Sequence, residues 1–188
     1  MIEKNYEKII ILEDDARFAA NFKTILAYMI NGMKDEEIKW DLLYLGRKIM
    51  KEYANFETWN YDIKFKNGFG LRKPHLSHWT IGYALTLEGA QKLVSQDPLT
   101  KIVPIDEYLP IMYDKQPNEY WSSFYSNRDL IAYAIQPSIV MPTHYFGEPN
   151  YVSDTEHTPV LDTTKFEIPK SDSISLPQQK DALKHIEF

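Results

Sequence analysis

Glu13, Asp14 and Asp15 stand side by side directly after the run Lys8-Ile9-Ile10-Ile11-Leu12. A short apolar run bounded by polar residues predicts a strand buried on both faces. The acids then collect at its carboxyl end, the edge at which open α/β sheets bind ligands. Adjacent carboxylates repel one another, and at the rim of a buried strand their charge is costly unless a cation shares the corner. A hard divalent ion with oxygen ligands suits this set and would in turn hold a diphosphate. The alternative is a solvated acidic turn capping a helix that starts near Arg17.

Other residues have chemistry to offer. Asp106 and Glu107 open a short helical stretch, Ile105 to Tyr113, where acids also suit the helix dipole. Arg47 and Lys48 follow Gly46 at a predicted strand end and are placed to touch phosphate. Trp79, Gly82 and Tyr83 offer a platform for a sugar or an acceptor, with strand packing the plainer role for Trp79. His75 and His78, in a stretch with Pro and Ser, read as exposed histidines rather than a metal pair. Asp154 and Glu156 imitate an Asp-x-Asp pattern in a polar region and read as a solvated loop.

The elements that must position these groups follow from periodicity. Phe18, Phe22, Ile25, Leu26, Met29 and Ile30 recur at steps of three and four and predict one apolar helix face, ended by Gly32. Trp40 to Gly46 reads as a second buried strand, with Gly46 turning the chain at its end. Residues 47–78 read as a long loop with short strands. Trp79 to Leu85 is a third strand, and Thr86 an N-cap for a helix from Leu87 to Ser95 packed through Ala90, Leu93 and Val94. Residues 129–140 supply a last strand or pair of strands. The whole is an α/β domain over residues 1–157, followed by a polar tail, 158–188, with no hydrophobic period and the composition of a disordered segment.

Bulk composition narrows the classes. In 188 residues, 21 Lys and Arg stand against 27 Asp and Glu, and a net charge of −6 argues against a nucleic-acid surface. With no cysteine, disulfides and thiolate metal sites are excluded. No apolar stretch is long enough for a membrane span, and the N-terminus lacks the apolar core of a signal peptide. The final residues are not an endoplasmic-reticulum retention tetrapeptide. Aromatic residues reach 14 %, with 13 Tyr, which suits stacking on sugars or bases as well as ordinary packing.

Six pieces in order resemble glycosyltransferase family 25, on its collagen-directed branch. They are Ile11 to Phe18, Trp40 to Lys48, Gly82 to Leu93, Pro104 to Pro110, Pro142 to Tyr145 and Tyr151 to Glu156. The resemblance implies a GT-A type, Rossmann-like fold that binds a nucleotide sugar and Mn²⁺. It implies transfer of galactose from UDP-galactose to hydroxylysine in a collagen-like acceptor, in the endoplasmic reticulum lumen. Bacterial members instead extend lipooligosaccharide. The family pattern places about two further βα units before the acidic strand, so the chain reads as the later portion of such a domain. A non-catalytic binding or adhesion module, its nucleotide pocket lost, is the rival reading.

On that resemblance, Glu13, Asp14 and Asp15 correspond to an Asp-x-Asp motif. Asp15 would bind the metal directly, and Glu13 would bind it through water or meet the ribose. His144 would complete the metal shell, although a lone histidine beside aromatics also serves as a packing residue. Asp106 or Glu107 would supply the base that takes the acceptor proton, Asp106 in preference, as an inverting displacement requires.

Overall fold

The structure, a computed structural model, describes residues 1–50, 53, 61–65 and 68–143. His144, Asp154, Glu156 and the 158–188 tail lie outside the described residues.

A mixed sheet of six strands forms the centre, in the order β1-β6-β3-β7-β5-β4. The strands are β1 (Lys8–Leu12), β3 (Leu42–Ile49), β4 (Ile63–Lys64), β5 (Gly70–Arg72), β6 (Ser77–Thr86) and β7 (Ala132–Gln136). A separate ribbon pairs β2 (Ala16–Phe18) with β8 (Val140–Pro142). Among the described residues, only β3 and β7 run parallel, and every other pair is antiparallel. The described helices are α1 (Phe22–Asp35), α2 (Leu87–Ser95), α3 (Ile105–Met112) and the single turn α4 (Glu119–Ser122).

Strand β3 organises the core because its side chains alternate between two apolar layers. Leu43 and Leu45 face the layer built with Ile25, Leu26, Met29 and Met33 of α1. Leu42 and Tyr44 face the opposite layer, built with Leu93 of α2 and Tyr108, Leu109 and Met112 of α3. Helices therefore cover both faces, as the α/β reading requires.

Four sequence expectations are corrected. β1 is an edge strand, half-buried, with Leu12 41 % exposed, because an apolar run does not reveal where its strand sits in the sheet. Phe18 belongs to β2, paired with Val140, and meets the Phe22 ring of α1 with ring centres 4.6 Å apart. Helix α1 runs through Gly32 to Asp35; the missing side chain there admits the ring of Phe65, which an added Cβ would meet at 2.5 Å. Gly46 does not end β3, which continues to Ile49; it lies mid-strand, where an added Cβ would stand 2.1 Å from the main-chain oxygen of Val140. The predicted helix α2 and its cap are as expected, with the Thr86 hydroxyl accepting from Gly89 N–H at 3.0 Å, except that Val94 is exposed.

Candidate functional site

The acidic triplet lies where β1 ends. Glu13 N–H donates to the Ile81 carbonyl of β6 at 3.1 Å, which carries the sheet ladder one residue past the strand. The Glu13 carboxylate then turns to β6 and accepts from the Thr80 hydroxyl at 2.5 Å. Asp14 is exposed and Asp15 half-buried. Strand β8 arrives at the same corner: Thr143 donates to the Asp15 carbonyl from its N–H at 2.9 Å and from its hydroxyl at 2.6 Å. His144, the next residue in sequence, lies outside the described residues. Among the described residues, no three acids or histidines converge as a metal cage.

A bulge in β6 builds the rest. Gly46 pairs with Gly82 and Lys48 with His78, so two steps along β3 match four along β6. Inside that irregularity Trp79 takes a left-handed conformation, φ +61°, a conformation uncommon for any side chain and strained for a bulky one. Bulges release backbone groups from the ladder and re-aim side chains. Here the Trp79 N–H points to helix α3 and donates to Asp106 Oδ2 at 3.1 Å. The hydroxyl of the very next residue, Thr80, serves Glu13.

Asp106 is half-buried in the first turn of α3. Its other oxygen, Oδ1, is buried with no hydrogen-bond partner among the described residues. Burial raises its pKa above the ordinary carboxylate value, against the pull of the Trp79 N–H, of His78 and of the Thr80 hydroxyl. A carboxylate that holds its proton more tightly is a stronger base once ionised. Lys48, only 7 % exposed, lies over the Trp79 ring at 4.3 Å. Burial lowers its pKa to about 8, while Asp106 favours its charge.

Glu107 faces differently. It pairs with His78 Nε2 at 3.4 Å and accepts from the Gln116 amide. The hydrogen bond to Glu107 leads the effects that raise the His78 pKa, with burial opposing it. Glu107 thus anchors the chain after α3, whereas the neighbouring Asp106 is held by the Trp79 N–H.

The histidines are therefore not the exposed pair that their setting predicts. His78 is half-buried in β6, and His75, also half-buried, stacks on Tyr53 with ring centres 5.1 Å apart. Arg47 lies within β3 rather than at its end, buried, with Nη1 donating to Ser77 Oγ at 2.7 Å. Tyr83 is buried against Tyr44 and forms part of the core, close enough to Glu13 and Asp106 for their charges to raise its pKa, while Trp79 borders the site directly.

Glu13, Asp106 and Glu107 are thus brought together along residues 78–80 of one strand, with Asp15 beside Glu13. Sequence reasoning passed over Thr80 and undervalued Lys48 and His78. Their one signal was position: all lie within a few residues of Gly46 or Gly82, the glycines that flank the irregular stretch.

The family model described as glycosyltransferase family 25 (LPS biosynthesis protein) matches residues 1–109, which include β1, β3, β6 and the start of α3. Procollagen galactosyltransferase 2 of Mus musculus is 40 % identical over 162 residues, 86 % of this chain and 25 % of that protein. The Homo sapiens procollagen galactosyltransferase 2 is 38 % identical over the same shares of each. A glycosyltransferase 25 family member of Anopheles gambiae is 40 % identical over 178 residues, 94 % of this chain and 28 % of its own length. The chain spans about a quarter of the length of these curated relatives. With the matched residues running through the acidic corner, the bulged strand and the Asp106 helix, the chain belongs to glycosyltransferase family 25.

Proposed function

We propose that the chain is the metal-and-acceptor portion of a GT-A type galactosyltransferase. It moves galactose from UDP-galactose to a hydroxylysine hydroxyl of a collagen-like protein, with inversion, in the endoplasmic reticulum lumen. One observation carries the reading: Trp79 and Thr80, neighbours in β6, hold Asp106 and Glu13, so a half-buried carboxylate and an acidic corner are both tied to one strand. The names of the relatives support the galactose donor and the collagen acceptor.

Carboxylate oxygens are the donors a hard divalent ion such as Mn²⁺ would take, and since no three converge among the described residues, the shell would need His144. Asp15, its main-chain carbonyl tied to Thr143, would offer its carboxylate to the ion. Glu13 is held by Thr80 through one oxygen, with the other left for a bridging water, and Asp14 stands exposed beside them. His144, directly after the Thr143 that ties β8 to Asp15, is the residue assigned to complete the shell. When bound, the ion neutralises charge on the departing diphosphate. Asp106 accepts the acceptor hydroxyl's proton as the new oxygen–carbon bond forms at the anomeric centre. The bond from that carbon to the diphosphate breaks in the same displacement, and UDP leaves with the electron pair. Arg47, buried behind Ser77, supports the strand rather than meeting phosphate in this scheme.

Calorimetry of UDP binding with and without Mn²⁺, on this chain and on Asp15→Ala, tests the reading. Binding that requires the ion and disappears in the variant is expected. Absence of any UDP binding with Mn²⁺ present would replace it with a non-catalytic binding module. Galactose transfer to a hydroxylysine peptide, set against a bacterial core oligosaccharide, separates the two acceptor classes within the family.

A further inference from the structure

We propose that Lys48 is a positioning residue. Its ammonium, seated on the Trp79 ring, holds the bulged backbone whose N–H orients the Asp106 carboxylate. The proposal rests on Asp106 acting as the base, and it concerns how that base is held.

Three observations lead to it. Lys48 pairs with His78 at the far side of the irregular stretch, so its side chain leaves β3 where β6 departs from regular pairing. It is 7 % exposed, a degree of burial that lysines avoid unless the charge meets a partner. The partner is the face of Trp79, 4.3 Å away, and cation–ring contacts gain strength when desolvated. Trp79 in turn sits at φ +61° and gives its N–H to Asp106 at 3.1 Å. A conformation of that kind persists only where its surroundings hold it. The ring is the handle by which Lys48 holds the backbone, and the backbone is what holds the carboxylate. The ammonium also favours the ionised form of Asp106, the form that can take a proton.

Asp106 is faced by charges from each element around it. Lys48 approaches from β3, His78 from β6 and Glu107 from its own helix, while the phenols of Tyr44 and Tyr83 sense its charge from below. The test must therefore isolate lysine from histidine. NMR titration of the substrate-free chain does so by following the Trp79 amide and indole signals and the Asp106 carboxyl carbon. In the wild type, the Trp79 signals are expected to step with a midpoint at about 8, the value to which burial brings Lys48. In Lys48→Met that step disappears, and the Asp106 proton affinity rises about tenfold on loss of the facing cation. In Lys48→Arg, a cation that does not titrate in this range, the step disappears while Asp106 keeps its wild-type midpoint. Trp79 signals flat between pH 7 and 9.5 in the wild type overturn the proposal whether or not either variant folds. An unmoved Asp106 midpoint in folded Lys48→Met overturns it as well. Because the chain is titrated without substrate, these outcomes do not depend on galactose transfer. Failure of transfer with an intact Trp79 step strikes only the functional reading.

Discussion

Asp106→Asn separates the base assignment from a structural role. The substitution keeps an oxygen to accept the Trp79 N–H, now 3.1 Å from Oδ2, and keeps the size of the side chain. What it removes is the capacity to take a proton. Loss of a positioned general base costs about a hundred- to ten-thousand-fold in rate. At 1.36 kcal/mol per tenfold, that is about 2.7–5.4 kcal/mol of barrier. Stability should move the other way. Burial raises the folded-state pKa of Asp106 above its ordinary value of 3.8. A raised acid favours the folded state when protonated, so that contribution is present below pH 3.8 and is lost as pH climbs through the folded value. At neutral pH the ionised group therefore works against folding, and the neutral amide relieves it. The assay is galactose transfer with Mn²⁺ present, paired with urea unfolding at pH 7. The expected outcome is a kcat at least a hundredfold lower with an unfolding midpoint equal to or above wild type. A variant that keeps more than a tenth of kcat refutes the base, and one that loses activity together with about 1 kcal/mol or more of stability refutes the separation of roles.

Gly46→Ala should destabilise by about 3 kcal/mol, because its Cβ would stand 2.1 Å from a main-chain oxygen of Val140 that cannot swing aside; thermal unfolding measures it, and a shift of under 2 °C would contradict the close approach. Asp41→Ala removes a carboxylate, 2 % exposed, that accepts from Lys92 Nζ and from Ile131 N–H, each at 2.8 Å. Lys92 reaches water, so urea unfolding should show a loss of about 3 kcal/mol, the lower end for a broken buried pair. His78 has its pKa raised above 6.5, with the hydrogen bond to Glu107 as the leading cause, so its stabilising effect is full below pH 6.5 and fades as pH rises through the folded-state value. Unfolding free energy measured from pH 5.5 to 8.5 should fall with pH in the wild type and lose that slope in His78→Gln; identical slopes would remove the pairing.

What the chain reveals locally, it reveals well. Thr86 and the helix it caps were legible because the cap and the N–H it accepts from lie three residues apart, and Asp106 and Glu107 were legible as a helix start because acids gather in a first turn. The misreadings share one cause, which is that the deciding partner is far away in sequence. Ile9, Ile10 and Ile11 read alike in an edge or a central strand, and only the position of β6 on one side of them decides. Phe18 continues the period of α1 in sequence, yet Val140 captures it for a ribbon. Lys48 looked like a second cation beside Arg47. Because alternate residues of a strand face opposite ways, the two serve different neighbours, Ser77 for Arg47 and the Trp79 ring for Lys48. No pattern of residue types announces a tryptophan at positive φ, so the contact on which Asp106 depends was hidden until the bulge was seen.

The two glycines connect these features. Gly46 and Gly82 sit opposite each other where the β3–β6 register first breaks, and both abut Val140 of β8. An added Cβ at Gly82 would meet Val140 Cγ1 at 3.0 Å and Leu12 Cδ2 at 3.1 Å, and at Gly46 it would strike the Val140 main chain. With no side chains at this crossing, β8 lies close against the sheet and its next residues reach Asp15 through Thr143. A second break, between Gly46 and Lys48, lets β6 turn Trp79 toward Asp106 and Thr80 toward Glu13. The irregular pairing of β6 thus serves residues 13 and 106 through Thr80 and Trp79, while β8 reaches Asp15 from the other side through Thr143. Strengthening the sheet by filling either glycine would work against the site, because the close approach of β8 and the bulge of β6 both require the vacancy those residues leave.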